Sequence, residues 1–141
     1  VWPHDTALCV SGLMRYGFVD EAQRVAVALL DAATHFSHRL PELFCGLSRS
    51  RVAVPVPYPT SCAPQAWAAA APLEILRSLL RLRPDAAHGT LQCIPAVPQR
   101  YLPLQLRNLR FGDFRVRLDV TAQGCRLGDG SGPTPVLLTE R

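Results

Sequence analysis

Residues 3–36, PHDTALCVSGLMRYGFVDEAQRVAVALLDAATHF, decide the fold class. Ala7, Val10, Leu13 and Met14 recur at helical spacing over Thr6–Tyr16, and Gly17 is a stop signal. Pro3 suits the first turn of that helix, and His4 and Asp5 sit at its N-terminal end, where the helix dipole favours a carboxylate. A second helix is predicted from an N-cap at Asp20 to about Phe36, with Ala22, Val25, Ala26, Leu29, Leu30 and Ala33 as a broad apolar stripe. The short Gly17–Val19 link makes the two an antiparallel hairpin.

Beyond this hairpin the pattern breaks. Pro41, Pro55, Pro57 and Pro59 forbid a continuous helix or central strand over 37–62, and a loop of that length inside a domain is usually functional. A third helix is predicted from about Pro64 to Leu82, kinked at Pro72 and closed by Arg83-Pro84-Asp85. Leu102, Leu104 and Leu106 then alternate, as do Phe114, Val116, Leu118 and Val120, around a Gly112-Asp113 turn signal. These features predict a mainly α chain with a small antiparallel β-element over 91–127. From Gly128 onward the residues read as a flexible tail, 128–141.

Composition bounds the function. With 141 residues, 48% of them hydrophobic, the chain holds one domain or part of a larger one and is too apolar to be disordered. No apolar run reaches the roughly 18 residues that span a bilayer, and the opening is not signal-like. It also lacks a starting Met, which reads as a start within a longer protein. The net charge of +4 comes entirely from Arg, spread along the sequence and interleaved with carboxylates, which argues against a nucleic-acid partner. Five Cys without a CxxC pair predict no zinc site, and instead small buried hydrophobes in a reducing cytoplasm.

Three clusters carry chemistry. Trp2-Pro3-His4-Asp5 joins an aromatic face, an imidazole and a carboxylate, a set that suits a sugar or serves as the N-terminal sequence of a helix with Trp2 in the core. Glu42, within RLPELF, is either a solvated loop carboxylate or one held in a cleft as a general base. Gln65 and Trp67 fall in the first turns of the third helix, as a ligand-facing amide and indole or as a cap and a core residue. Cys62, just before that helix, has no base placed for nucleophilic catalysis.

Taken in order, VWPHDTAL, RLPELFCG and PYPTSCAPQAWAAAAPLEIL resemble the C-terminal part of bacterial amylo-alpha-1,6-glucosidases, the glycogen-debranching type of glycoside hydrolase. The resemblance covers about residues 1–120. It implies that residues 1–90 form a sector of an (α/α)6 toroid of paired helices. It also implies inverting hydrolysis of α-1,6-linked glucose in glycogen or a branched α-glucan, without metal or cofactor. Glu42 matches the general base, Trp2, His4 and Asp5 the motif lining the glucose pocket, and Gln65 and Trp67 the QAW motif beside it. The general acid is an Asp on an earlier loop with no counterpart here, so the 141 residues alone are expected to be inactive and poorly folded. A related glucosidase or trehalase-like hydrolase, or a non-catalytic carbohydrate-binding piece, are the alternatives.

Overall fold

The computed structural model describes residues 1–128 and 137–139. The chain divides into two compact units, Val1–Ser78 and Leu79–Arg141.

The first unit is helical. Helix α1 spans Pro3–Arg15, α2 Val19–Thr34 and α3 Ala66–Leu79, the last residue of α3 belonging to the second unit. Pro3 opens α1, where its missing N–H is no loss. Gly17, at φ 87°, ends it, and the Phe18 N–H returns to the Leu13 carbonyl at 2.9 Å. An L side chain there would be strained, so glycine sets the turn. Helix α2 begins at Val19 rather than after an Asp20 cap. Asp20 and Glu21 occupy its first turn, where the dipole favours them, and Glu21 also pairs with Arg24 at 3.6 Å.

Ala7, Val10 and Met14 of α1, Ala22, Ala26 and Leu29 of α2, and Ala68, Ala71 and Ile75 of α3 are among the buried helix positions. Alanine supplies most of the interior, which allows backbones to approach closely. Arg77 fixes α3 at its exposed side: its guanidinium clasps Glu74 at 2.6 and 2.7 Å and reaches the Ser11 hydroxyl of α1 at 3.5 Å.

The segment between α2 and α3 has no helix, yet it is not loose. Leu40, Pro41 and Phe44 are buried, Phe44 lies 5.5 Å from the Phe36 ring, and Phe44 and Pro57 form an isolated antiparallel bridge.

The second unit is β-rich. Strands β1 (Arg83–Asp85) and β2 (Thr90–Gln92) form an antiparallel hairpin, and β6 (Leu137–Thr139) adds to β2 in parallel. A second sheet has the order β3 (Leu104–Phe111), β4 (Phe114–Thr121), β5 (Gly124–Leu127), all antiparallel. Phe111, Val116, Leu118 and Val120 turn inward, and a disulfide joins Cys93 to Cys125 of β5.

These observations correct the fold class. Among the described residues there are three α-helices and two three-stranded sheets, not a mainly α chain with a small β appendage, and not a toroid sector. A toroid sector is built from repeated helix pairs, whereas α1 and α2 pair and, among the described residues, no α-helix follows α3. The predicted helix 64–82 stops at Leu79 because Arg81 takes φ 47°, outside the right-handed helical region, and Arg83-Pro84-Asp85 then forms an edge strand instead of a terminator. Of the expected tail 128–141, Leu137–Thr139 is strand β6, while residues 129–136 and 140–141 lie outside the described residues. The expectation of small buried cysteines is not met: Cys93 is buried but bonded to Cys125, and of the free thiols Cys9 and Cys62 are exposed and Cys45 is partly exposed.

Candidate functional site

The three motif segments meet in the first unit. Val1, just before α1, exchanges two backbone hydrogen bonds with Phe44: Val1 N donates to the Phe44 carbonyl at 2.6 Å, and Phe44 N to the Val1 carbonyl at 3.0 Å. Two residues earlier, Glu42 does the same with the third segment. Its N–H donates to the Cys62 carbonyl at 2.9 Å, and its carboxylate Oε2 accepts from the Cys62 N–H at 3.1 Å. The Cys45 N–H adds a bond to the Val56 carbonyl at 2.9 Å. The PELF stretch is thus laced to residue 1 on one side and to 56–62 on the other, which is why an irregular loop holds a defined shape.

Glu42 is half-buried between buried Pro41 and partly buried Leu43. One oxygen is anchored on a backbone N–H, which fixes the carboxylate plane. Among the described residues Oε1 meets no protein donor, so it is the oxygen free to receive a proton from water.

The stretch from Cys62 leads directly into α3, where Gln65 and Trp67 stand. Gln65 Oε1 accepts from the Ala68 N–H at 2.8 Å, capping α3, so its amide nitrogen is the end left to a ligand. Trp67 is 61% exposed and stacks at a tilt on His4, ring centroids 4.9 Å apart. Trp2 is 44% exposed. Neither indole is a core residue, which settles against that reading of both tryptophans. Asp5, at 70% side-chain exposure, sits in the first turn of α1 with its Oδ1 3.3 Å from His4 Nδ1.

The structure therefore links Glu42 to Cys62, and His4 to both Asp5 and Trp67; the segment 62–67 joins the two sets. Two partnerships escape sequence reading. The Cys62 N–H serves Glu42 through the backbone, and no side-chain motif reports that. The His4–Trp67 stack pairs residues far apart in sequence, and no local signal in either motif reports it.

A separate apolar groove of about 420 Å³ runs between α2 and residues 44–56, lined by Val25, Leu29, Ala32, Leu47, Val52 and Val56 among others. It contains none of the site residues predicted from sequence. Among the described residues no group of three His, Cys, Asp or Glu is placed to hold a metal ion, and no helix is long and apolar enough to cross a membrane.

No protein-family model matches the chain, and no curated protein matches it.

Proposed function

We propose that this chain carries the water-activating half of an inverting glycoside hydrolase that removes α-1,6-linked glucose from glycogen or a similar branched α-glucan. The observation that carries the reading is the meeting of three distant motif segments in one unit, with Glu42 pinned by one carboxylate oxygen and the other oxygen open.

In this reaction Glu42 Oε1 takes a proton from water as the water oxygen bonds to the anomeric carbon. The glycosidic C–O bond on the opposite face breaks, and a carboxylic acid protonates the departing glucan oxygen. Inverting enzymes hold the two carboxyl groups about 6.5–9.5 Å apart to admit that water. The acid is supplied from outside these 141 residues, as the family resemblance implies. Trp67 and Trp2 offer exposed apolar faces for a sugar ring, and His4, Asp5 and the Gln65 amide nitrogen offer hydroxyl partners. The reading needs no cofactor, and its compartment is the cytoplasm.

The test is Glu42→Gln in the complete protein that carries this segment. Glucose release from a branched limit dextrin is expected to fall by about a thousandfold, with the circular dichroism spectrum unchanged. Wild-type turnover in the variant removes Glu42 from the reaction. Binding of maltooligosaccharide with no glucose released even by the unaltered protein favours a carbohydrate-binding role for the exposed indoles.

A further inference from the structure

The sheet β3–β4–β5 has two unlike faces. Phe114, Val116, Leu118 and Val120 of β4 point to the core, so Arg115, Arg117 and Asp119 point the other way. The register places Arg110 directly opposite Arg115, Gln105 opposite Asp119, and Asp119 opposite Arg126. Between Leu106 and Leu109 the β3 register shifts, and Asn108 takes φ 58°. This bulge puts both Arg107 and Asn108 on the outer face, where Arg107 hydrogen-bonds Gln105 and Asn108 accepts from Arg115 at 3.1 Å. The result is one face bearing Arg107, Arg110, Arg115, Arg117 and Arg126 around Asp119, the single carboxylate on it among the described residues.

That carboxylate is already engaged. It accepts from Gln105 and, at 3.1 Å, from Arg117 Nε. These donors hold Asp119 below the usual carboxylate range, the Gln105 bond contributing most. Arg107, Arg110 and Arg115 are left with neutral acceptors only among the described residues: Gln105, the Gly112 carbonyl and Asn108. Like charges directly opposite one another on a sheet are destabilising, so the Arg110–Arg115 juxtaposition costs the fold something, and the hydrogen bonds of the two side chains go to neutral acceptors rather than to a carboxylate.

We infer that this face docks an extended, carboxylate-rich peptide segment of a partner protein. The guanidinium fork receives a carboxylate through two parallel N–H donors, which lysine cannot do. Alternate side chains of an extended peptide recur about every 6.7 Å, the same interval that separates Arg115 from Arg117 along β4. A single-stranded nucleic acid is the weaker fit, because such surfaces interleave cations with aromatic rings for base stacking. Phe111 and Phe114 lie on the inner face or its margin, and the outer face carries no ring. This inference concerns the second unit and stands apart from the glucosidase reading.

The experiment is fluorescence anisotropy of the full chain with a labelled twelve-residue peptide alternating Glu and Thr, with single-stranded and duplex DNA of equal net charge as comparison probes. The peptide is expected to bind best and to weaken with added salt. Arg110→Ala/Arg115→Ala should weaken it about tenfold, and Arg110→Lys/Arg115→Lys about threefold, because charge without the fork is a partial substitute. Since the alanine pair also removes a repulsion, its Tm should hold or rise. The inference is overturned by undetectable peptide binding, by unchanged affinity in the alanine pair, by a Tm drop showing the two arginines to be structural, or by tighter binding of either DNA.

Discussion

At the scale of single residues, the decisive feature is how differently two glutamates are held. Glu42 accepts one backbone N–H, from Cys62, and among the described residues its other oxygen meets no protein donor, as the proposed base role requires. Glu74 is consumed by its neighbours: Arg77 donates twice, and Ser78 once at 3.3 Å. The Arg77 hydrogen bonds, opposed by partial burial, hold Glu74 below the ordinary value of 4.5. A folded-state pKa below the unfolded one gives stability that is complete above the unfolded value and is lost as pH falls through the folded one. Glu74→Gln is therefore expected to cost about 0.5 kcal/mol at neutral pH, small because the Arg77 side is half exposed. Urea denaturation at pH 7 and near pH 2 checks this: the difference between variant and parent should vanish in acid. The type of residue at each site position was readable from sequence. Its duty was not, since the Gln65 oxygen goes to capping α3 and the tryptophans, equally plausible as core, stand in solvent.

At the scale of elements, the sequence signals that worked were those set by backbone stereochemistry. The Gly17 stop, the Pro3 start and the Gly112-Asp113 turn between β3 and β4 all stand where the chain needs them. Gly112 has φ 57°, with the Ala86 Cβ 3.6 Å from where its own would be, so space is adequate and only the dihedral is at issue. Gly112→Ala is expected to destabilise the second unit by about 1 kcal/mol, read as a lower urea midpoint with an unchanged slope. Signals that failed were those that depend on partners. Arg83-Pro84-Asp85 looks like a helix terminator in isolation. It becomes a strand because Thr90–Gln92 pairs with it, and because Asp85 closes the intervening turn by accepting from the His88 N–H at 3.2 Å. Likewise nothing local distinguishes Leu137–Thr139 from a tail until β2 is there to receive it.

At the scale of the whole molecule, periodicity overstated the helices. The Ala-rich run after Pro64 carries a helical pattern through Leu82, and the correction comes from a single backbone reversal at Arg81 that hands the chain to a β-rich unit. That unit also closes a loop of 32 residues through Cys93–Cys125, a pairing that residue counting had no means to choose. Closing a loop of this size is worth about 3–4 kcal/mol by chain entropy, so reduction with dithiothreitol should lower the denaturant midpoint and speed amide exchange in β2 and β5. An unchanged midpoint would mean that packing alone holds the two sheets. The helical unit contains no disulfide, and it is there that the three motif segments assemble around Glu42. In the proposed reaction this assembly delivers water to the anomeric carbon from the face opposite the leaving glucan. Proton NMR of the complete protein acting on a branched limit dextrin, recorded before mutarotation, tests it most directly. β-Glucose is expected to appear first, and in Glu42→Gln its release should fall about a thousandfold; initial release of α-glucose, or β-glucose undiminished in the variant, rules the proposed reaction out.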